Sequence, residues 1–168
     1  MKKFSAREIL IPTISLFLIS AVVTLLLAVT NSVTAPKIEE LQIETENKTK
    51  TAVLSSADSF SDAKAIQSDG TEYTYYEGYG SNGELTGYVI TAVTKGYGGD
   101  ISVMVGVNED GTVAGIDFLS ISETAGLGMN AQKDGFKDQY VGKSGQIGVS
   151  KNSPSDTEIQ ALTGATIT

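Results

Sequence analysis

The chain is expected to be α+β: a single N-terminal transmembrane helix followed by an antiparallel-sheet domain with flanking helices. Three observations predict this. Ile9–Val29 is an apolar run of 21 residues without a charge. From Glu72 to Ser120, β-forming segments alternate with turn signals such as Asn82-Gly83 and Asn108-Glu109-Asp110-Gly111. Beyond them, short segments near 135–140 and 157–162 carry helical composition and a capping pattern.

Composition narrows the chemistry before any motif is read. The 168 residues are 40% hydrophobic and 19% charged, enough apolar material for a packed core. There is no Cys, His or Trp. Disulfides and thiolate metal sites are therefore excluded, and so are triad hydrolases, zinc enzymes and haem sites ligated by this chain. Any chemistry must rest on carboxylates, hydroxyls, lysines or a borrowed cofactor. A net charge of −8 argues against a nucleic-acid partner, which would need a basic patch.

At 1.5 Å per residue, Ile9–Val29 covers the roughly 30 Å hydrocarbon thickness of a bilayer. A cleaved signal peptide is the competing reading, since Lys2, Lys3 and Arg7 form a basic leader and Ala28 is small; the apolar run is long for that role. Pro12 falls in the first turns of the expected helix, where a missing donor costs least. The same three cations precede the helix, whereas one Lys and two Glu follow it, so the N-terminus is expected in the cytoplasm and the rest outside. The resulting division is 1–8 cytoplasmic, 9–29 transmembrane, 30–63 stalk and linker, and 64–168 an extracytoplasmic domain.

Within the stalk, residues 37–54 suit a short helix with Ile38, Leu41 and Thr45 on one face, and Ser55–Ala63 reads as a solvated connection. Glu72–Tyr79, with Tyr73, Tyr75, Tyr76 and Tyr79, is a strand whose tyrosines reflect β-propensity and half-burial more simply than stacking on a ligand. Glu84–Thr94 follows as the next strand. Ile101, Val103, Val105 and Val107 then form one apolar face, with Ser102, Met104 and Gly106 on the other. Thr112–Ser120 closes a hairpin onto that strand. Ser144–Ser150 is a further short strand, and Asn152–Asp156 is expected to cap a helix over Thr157–Leu162 with Glu158 in its first turn.

Three glycine-bearing loops are the candidate site: Gly96-Tyr97-Gly98-Gly99, Glu123-Thr124-Ala125-Gly126-Leu127-Gly128 and Thr163-Gly164-Ala165-Thr166. Each alone is a weak signal. Gly98-Gly99 suits a hairpin turn, Gly126-x-Gly128 lacks the βα context of a dinucleotide fold, and Thr-Gly-Ala-Thr reads equally as a loop entering a strand. Together they offer close backbone approach to a flat ring, N–H groups and hydroxyls for a phosphate, and a threonine oxygen able to form an ester.

The order GYGGDISVMVGVNEDGTVAGIDF, ETAGLG, TGATIT resembles the FMN-binding domain family of the RnfG and NqrC subunits of ion-translocating electron-transport complexes. The resemblance covers Glu84–Thr168 and implies an electron-carrying subunit. FMN would be joined through its phosphate to Thr166, with Thr163, Gly164, Ala165, Glu123, Thr124, Gly126, Leu127, Gly128, Gly98 and Gly99 around the cofactor. It further implies FAD as donor, a separate Mg²⁺-dependent flavin transferase, and membrane partners from the other subunits of an Rnf-type complex passing electrons from ferredoxin to NAD⁺. A quinone-reducing Nqr-type subunit is the alternative. Ala125 stands where the family usually has proline, and Gln160 where its flavinylation motif usually has aspartate. The family continues past the motif as a further helix, so the chain is expected to be truncated at Thr168. On the residues alone, a pilin-like structural protein and an anchored, non-covalent ligand-binding module stay open.

Overall fold

A computed structural model describes residues 6–68 and 70–165; Lys2, Lys3, Asp69, Thr166 and Thr168 lie outside the described residues. The chain divides after Glu44 into two compact units.

The first unit is the N-terminal part of a helix, α1 (Ala6–Val53), that runs on without interruption through the expected stalk. Its most apolar 18-residue window has a mean hydropathy of 2.5 and none of it is buried, so the helix is long and apolar enough to anchor the chain in a membrane. The hydroxyls of Thr13, Thr30 and Thr34 donate to the carbonyls four residues back at 2.8 to 2.9 Å. Of these, the bond from Thr13 lies within the 9–29 apolar run, where it satisfies a hydroxyl that hydrocarbon would otherwise strand. Pro12 and Pro36 both lie inside the described helix.

The second unit begins at Thr45, earlier than the boundary at 64 that the sequence suggests, because the end of α1 is part of its core. A short strand β1 (Ser59–Phe60) and β2 (Lys64–Ser68) both pair with β3 (Thr71–Tyr79). An antiparallel meander continues through β4 (Leu85–Lys95), β5 (Asp100–Asn108) and β6 (Val113–Ser120).

Register places Tyr76, Val89, Gly106 and Gly115 in one row across the sheet. Against it sit Val53 and Leu54, 2% and 0% exposed. A Cβ added to Gly106 would lie 2.0 Å from the Val53 carbonyl oxygen, and one on Gly78 would lie 2.6 Å from Leu54 Cδ2. Small residues are thus required where the helix end meets the sheet backbone. Ser55–Ala63 is exposed along most of its length, as expected of a connection, but Ala57 is buried and Phe60 packs on the same cluster, so these two tie it to the sheet. Two residues expected on the polar side of β5, Met104 and Gly106, are among the most buried, because both faces of this strand are covered.

A polar clamp closes the same region. The Tyr76 hydroxyl donates to Glu46 Oε1 at 2.7 Å, and Lys50 Nζ, on a residue only 7% exposed, donates to the same oxygen at 3.2 Å while lying 4.1 Å from the Tyr76 ring centroid. Burial, then the bond to Glu46, pushes the Tyr76 phenol up to about 12.

After β6 the chain forms a 3-10 turn (Gly128–Gln132), the short helix α2 (Asp134–Lys137) and another 3-10 turn (Asp138–Tyr140), matching the helical segment expected near 135–140. Then β7 (Gly148–Ser150) pairs in parallel with β8 (Glu158–Gln160). The helix expected over Thr157–Leu162 is therefore not formed. Its capping signal is real but local: the Ser155 backbone N–H and hydroxyl both donate to Glu158 Oε2, and Glu158 N–H returns to the Ser155 carbonyl. Burial of Ile159, 3% exposed, and pairing with β7 then hold the chain extended.

Candidate functional site

The three glycine loops are joined by side chains of the middle one. Gly98 N–H donates to Glu123 Oε1 at 3.0 Å, and a Cβ on Gly98 would lie 2.0 Å from the Ser122 carbonyl oxygen. The β4–β5 turn, closed by Gly96 N–H on the Gly99 carbonyl, is thereby held against the start of the Glu123–Gly128 loop. That loop winds on one acceptor: the Thr124 carbonyl receives Leu127 N–H and Met129 N–H, while Asn130 Nδ2 donates to the Gly126 carbonyl at 2.7 Å. Leu127, 42% exposed, then reaches Gly164, where a Cβ would lie 2.8 Å from Leu127 Cδ2. Gly164 has φ +80, a left-handed conformation that also favours glycine, and Ala165 N–H closes the turn on the Leu162 carbonyl.

Thr163, Gly164 and Ala165 line a solvent-connected cavity of about 650 Å³, within the range of small-molecule and cofactor sites. Glu123, Thr124, Gly126, Leu127, Gly128, Gly98 and Gly99 do not line it; among them, Glu123 and Leu127 tie the three loops to one another. Its other walls are Phe136, Tyr140, Val149, Lys151, Ile159, Ala161 and Leu162, none of which the loop motifs pointed to. Phe136 and Tyr140 pack edge to face with ring centroids 5.8 Å apart. Burial raises the Tyr140 phenol above its ordinary value, so it lines the cavity as a neutral group. The approach of Val149 and Lys151 depends on the β7–β8 pairing, which no periodicity over three-residue strands could have signalled. Phe136, Tyr140 and Leu162 also wall a second, apolar cavity of about 350 Å³ against the sheet residues Val103, Val105 and Ile116. The tyrosines of β3 line neither cavity: Tyr76 is in the core, and Tyr75 meets Tyr88 at 6.3 Å between centroids.

The chain carries a helix long and apolar enough to anchor it in a membrane, and residues 96–168 match the FMN-binding domain family. The chain is 38% identical to the G subunit of the Na(+)-translocating ferredoxin:NAD(+) oxidoreductase complex of Acetobacterium woodii, over 91% of this chain and 81% of that one. It is 34% identical to the G subunit of the proton-translocating ferredoxin:NAD(+) oxidoreductase complex of Clostridium ljungdahlii, over 86% of this chain and 75% of that one. The chain belongs to this family of G subunits of Rnf-type complexes. Its fold is similar to the crystal structure of the C subunit of the Na(+)-translocating NADH-quinone reductase from Parabacteroides distasonis, with a TM-score of 0.57 at 20% identity over 76% of this chain and 84% of that one.

The donor set of the cavity fits FMN. Phe136, Val149, Ile159 and Leu162 offer apolar walls for a flat ring. Lys151, the Thr163 hydroxyl and the open backbone at Gly164 offer partners for an anionic phosphate and its ribityl chain.

Proposed function

We propose that this chain is the flavin-carrying G subunit of a membrane-bound, ion-translocating ferredoxin:NAD⁺ oxidoreductase, with FMN attached through its phosphate to the Thr166 hydroxyl. The observation that carries the reading is the cavity beside Thr163–Ala165, where Leu127 of the middle loop packs on Gly164, two residues before Thr166. FMN, when bound, supplies one- and two-electron transfer. The chain's own residues bind and orient: the apolar walls face the ring, Gly164 turns the backbone, and Glu123 fixes the neighbouring hairpin. With no His in the chain to activate the hydroxyl, attachment is assigned to a separate flavin transferase using FAD and Mg²⁺. The other subunits of the complex are its partners in the membrane.

Residues 1–8 lie in the cytoplasm, 9–29 cross the membrane once, and the domain that begins near Thr45 lies outside. The basic residues before the helix support this orientation. Protease added to right-side-out vesicles removes the domain on this reading, and complete protection there reverses it.

The test of attachment is peptide mass after co-expression with a flavin transferase. Thr166→Ala is expected to lose covalent FMN and keep a folded domain, whereas Thr168→Ala keeps the flavin. An adduct on Thr163 or Thr168, or on no residue, refutes the assignment.

A further inference from the structure

We infer that Lys151 is the counter-ion of the cofactor phosphate, a positioning residue that holds the tether end of the flavin against the cavity wall. This rests on the reading that FMN is esterified to Thr166. A flavin phosphate joined to threonine is a diester and keeps one negative charge at neutral pH. It is held on a chain with 20 acidic and 12 basic residues, so its surroundings oppose it unless a cation is placed there.

Among the described residues, Lys151 is the one charged side chain lining the cavity that contains Gly164 and Ala165. Its backbone is fixed there by the parallel pair: Ser150 is opposite Gln160, and the Ser150 carbonyl accepts Ala161 N–H at 2.8 Å. Lys151 thus follows directly on the pairing that delivers residues 161–165. Two other lysines of this unit are committed elsewhere. Lys143 Nζ donates to the Asp156 carbonyl at 2.7 Å, and Lys137 pairs with Asp117 and Asp134, each at 3.2 Å. No described carboxylate pairs with Lys151. Lys133 is a competitor, but it lines an adjoining depression of about 470 Å³ that includes Thr163 and omits Gly164 and Ala165.

The test is ³¹P NMR of the full-length, flavinylated protein, with intact mass recorded on the same samples. In wild type the phosphodiester resonance is expected to be broad and to shift as salt is raised, because a screened ion pair loosens. K151Q should keep the covalent flavin yet give a narrower resonance insensitive to salt and a lower flavin fluorescence anisotropy. K151R should restore the wild-type line, and K133Q should leave it unchanged. A fully flavinylated K151Q protein with wild-type line width, salt response and anisotropy overturns the inference, as does a loss of salt response in K133Q alone. Wild-type protein without phosphorus on Thr166 instead refutes the attachment on which the inference rests. Salt titration of wild type reads the pairing without any substitution, so a K151Q protein that does not fold still leaves a deciding result: a salt-insensitive wild-type resonance overturns it.

Discussion

On one face of the sheet, the row Tyr76, Val89, Gly106 and Gly115 closes on the end of α1, with Leu54 and Val89 completely excluded from solvent. On the opposite face, Val105 and Ile116 of the next row meet α2 and the loops around it across a cavity of about 350 Å³. The same strands supply both rows, so β-propensity does not separate them. The difference is in what covers each face. A regular helix end can bring its backbone onto glycines and leave no gap, whereas short turns and a three-residue strand pair leave space. The first face is the protein's fixed frame, and the second keeps unfilled space.

The largest test of this contrast is Gly106→Val. Its Cβ would collide with the Val53 carbonyl oxygen, and backbone cannot give way as a side-chain tip can. A loss above about 4 kcal/mol and failure to fold are expected, read from near-ultraviolet circular dichroism. Leu54→Ala, on the same face, should cost about 3–5 kcal/mol in the urea midpoint because a fully buried side chain is deleted from a closed core. Next to Gly106 but facing the cavity, Val105→Ile is expected to be neutral or to gain about 0.5–1 kcal/mol by filling space. Equal penalties at 105 and 106 would erase the distinction between the faces.

Tyr76→Phe comes next, at about 1.5–3 kcal/mol, since it removes a hydrogen bond to the Glu46 carboxylate within the clamp. Its pH dependence has a definite sign. The folded-state phenol is raised from 10 to about 12, so its contribution is complete below the ordinary tyrosine range and is lost as pH rises through that interval. The variant should therefore show a flatter alkaline stability profile than wild type. The smallest effect belongs to Glu158, whose carboxyl is lowered first by the Ser155 backbone N–H and then by its hydroxyl. This contribution is present above the ordinary carboxylate range and disappears as pH falls through it. Urea midpoints of Glu158→Gln and wild type should differ slightly at neutral pH and converge in acid.

The meander was legible because its strands are long, rich in β-branched residues and separated by Asn-Gly and Asp-Gly turns. The helical turn near 135–140 was legible too, though shorter than a regular helix. Residues 49–60 were not, because their hydrophobic content is small and their burial comes from four glycines distant in sequence. At 157–162 a genuine capping pattern pointed to a helix, and a tertiary contact overrode it by burying Ile159 and pairing β8 with β7. Of the loops, Glu123 and Leu127 carried a recognisable motif, but their contacts with Gly98 and Gly164 could not be read from spacing.

The sequence by itself determined the apolar helix, the antiparallel strands and the family to which the three loops belong. Each is written in consecutive residues: an uninterrupted apolar run, a period of two, or a motif of four to six letters. Tertiary structure alone decided which face of the sheet is closed, that the helix end is core, and that Phe136, Tyr140 and Lys151 share a cavity with Thr163–Ala165. Those outcomes depend on pairings between segments far apart along the chain. Local propensity carries no information about which distant backbone a glycine must admit or which short strand a loop will find.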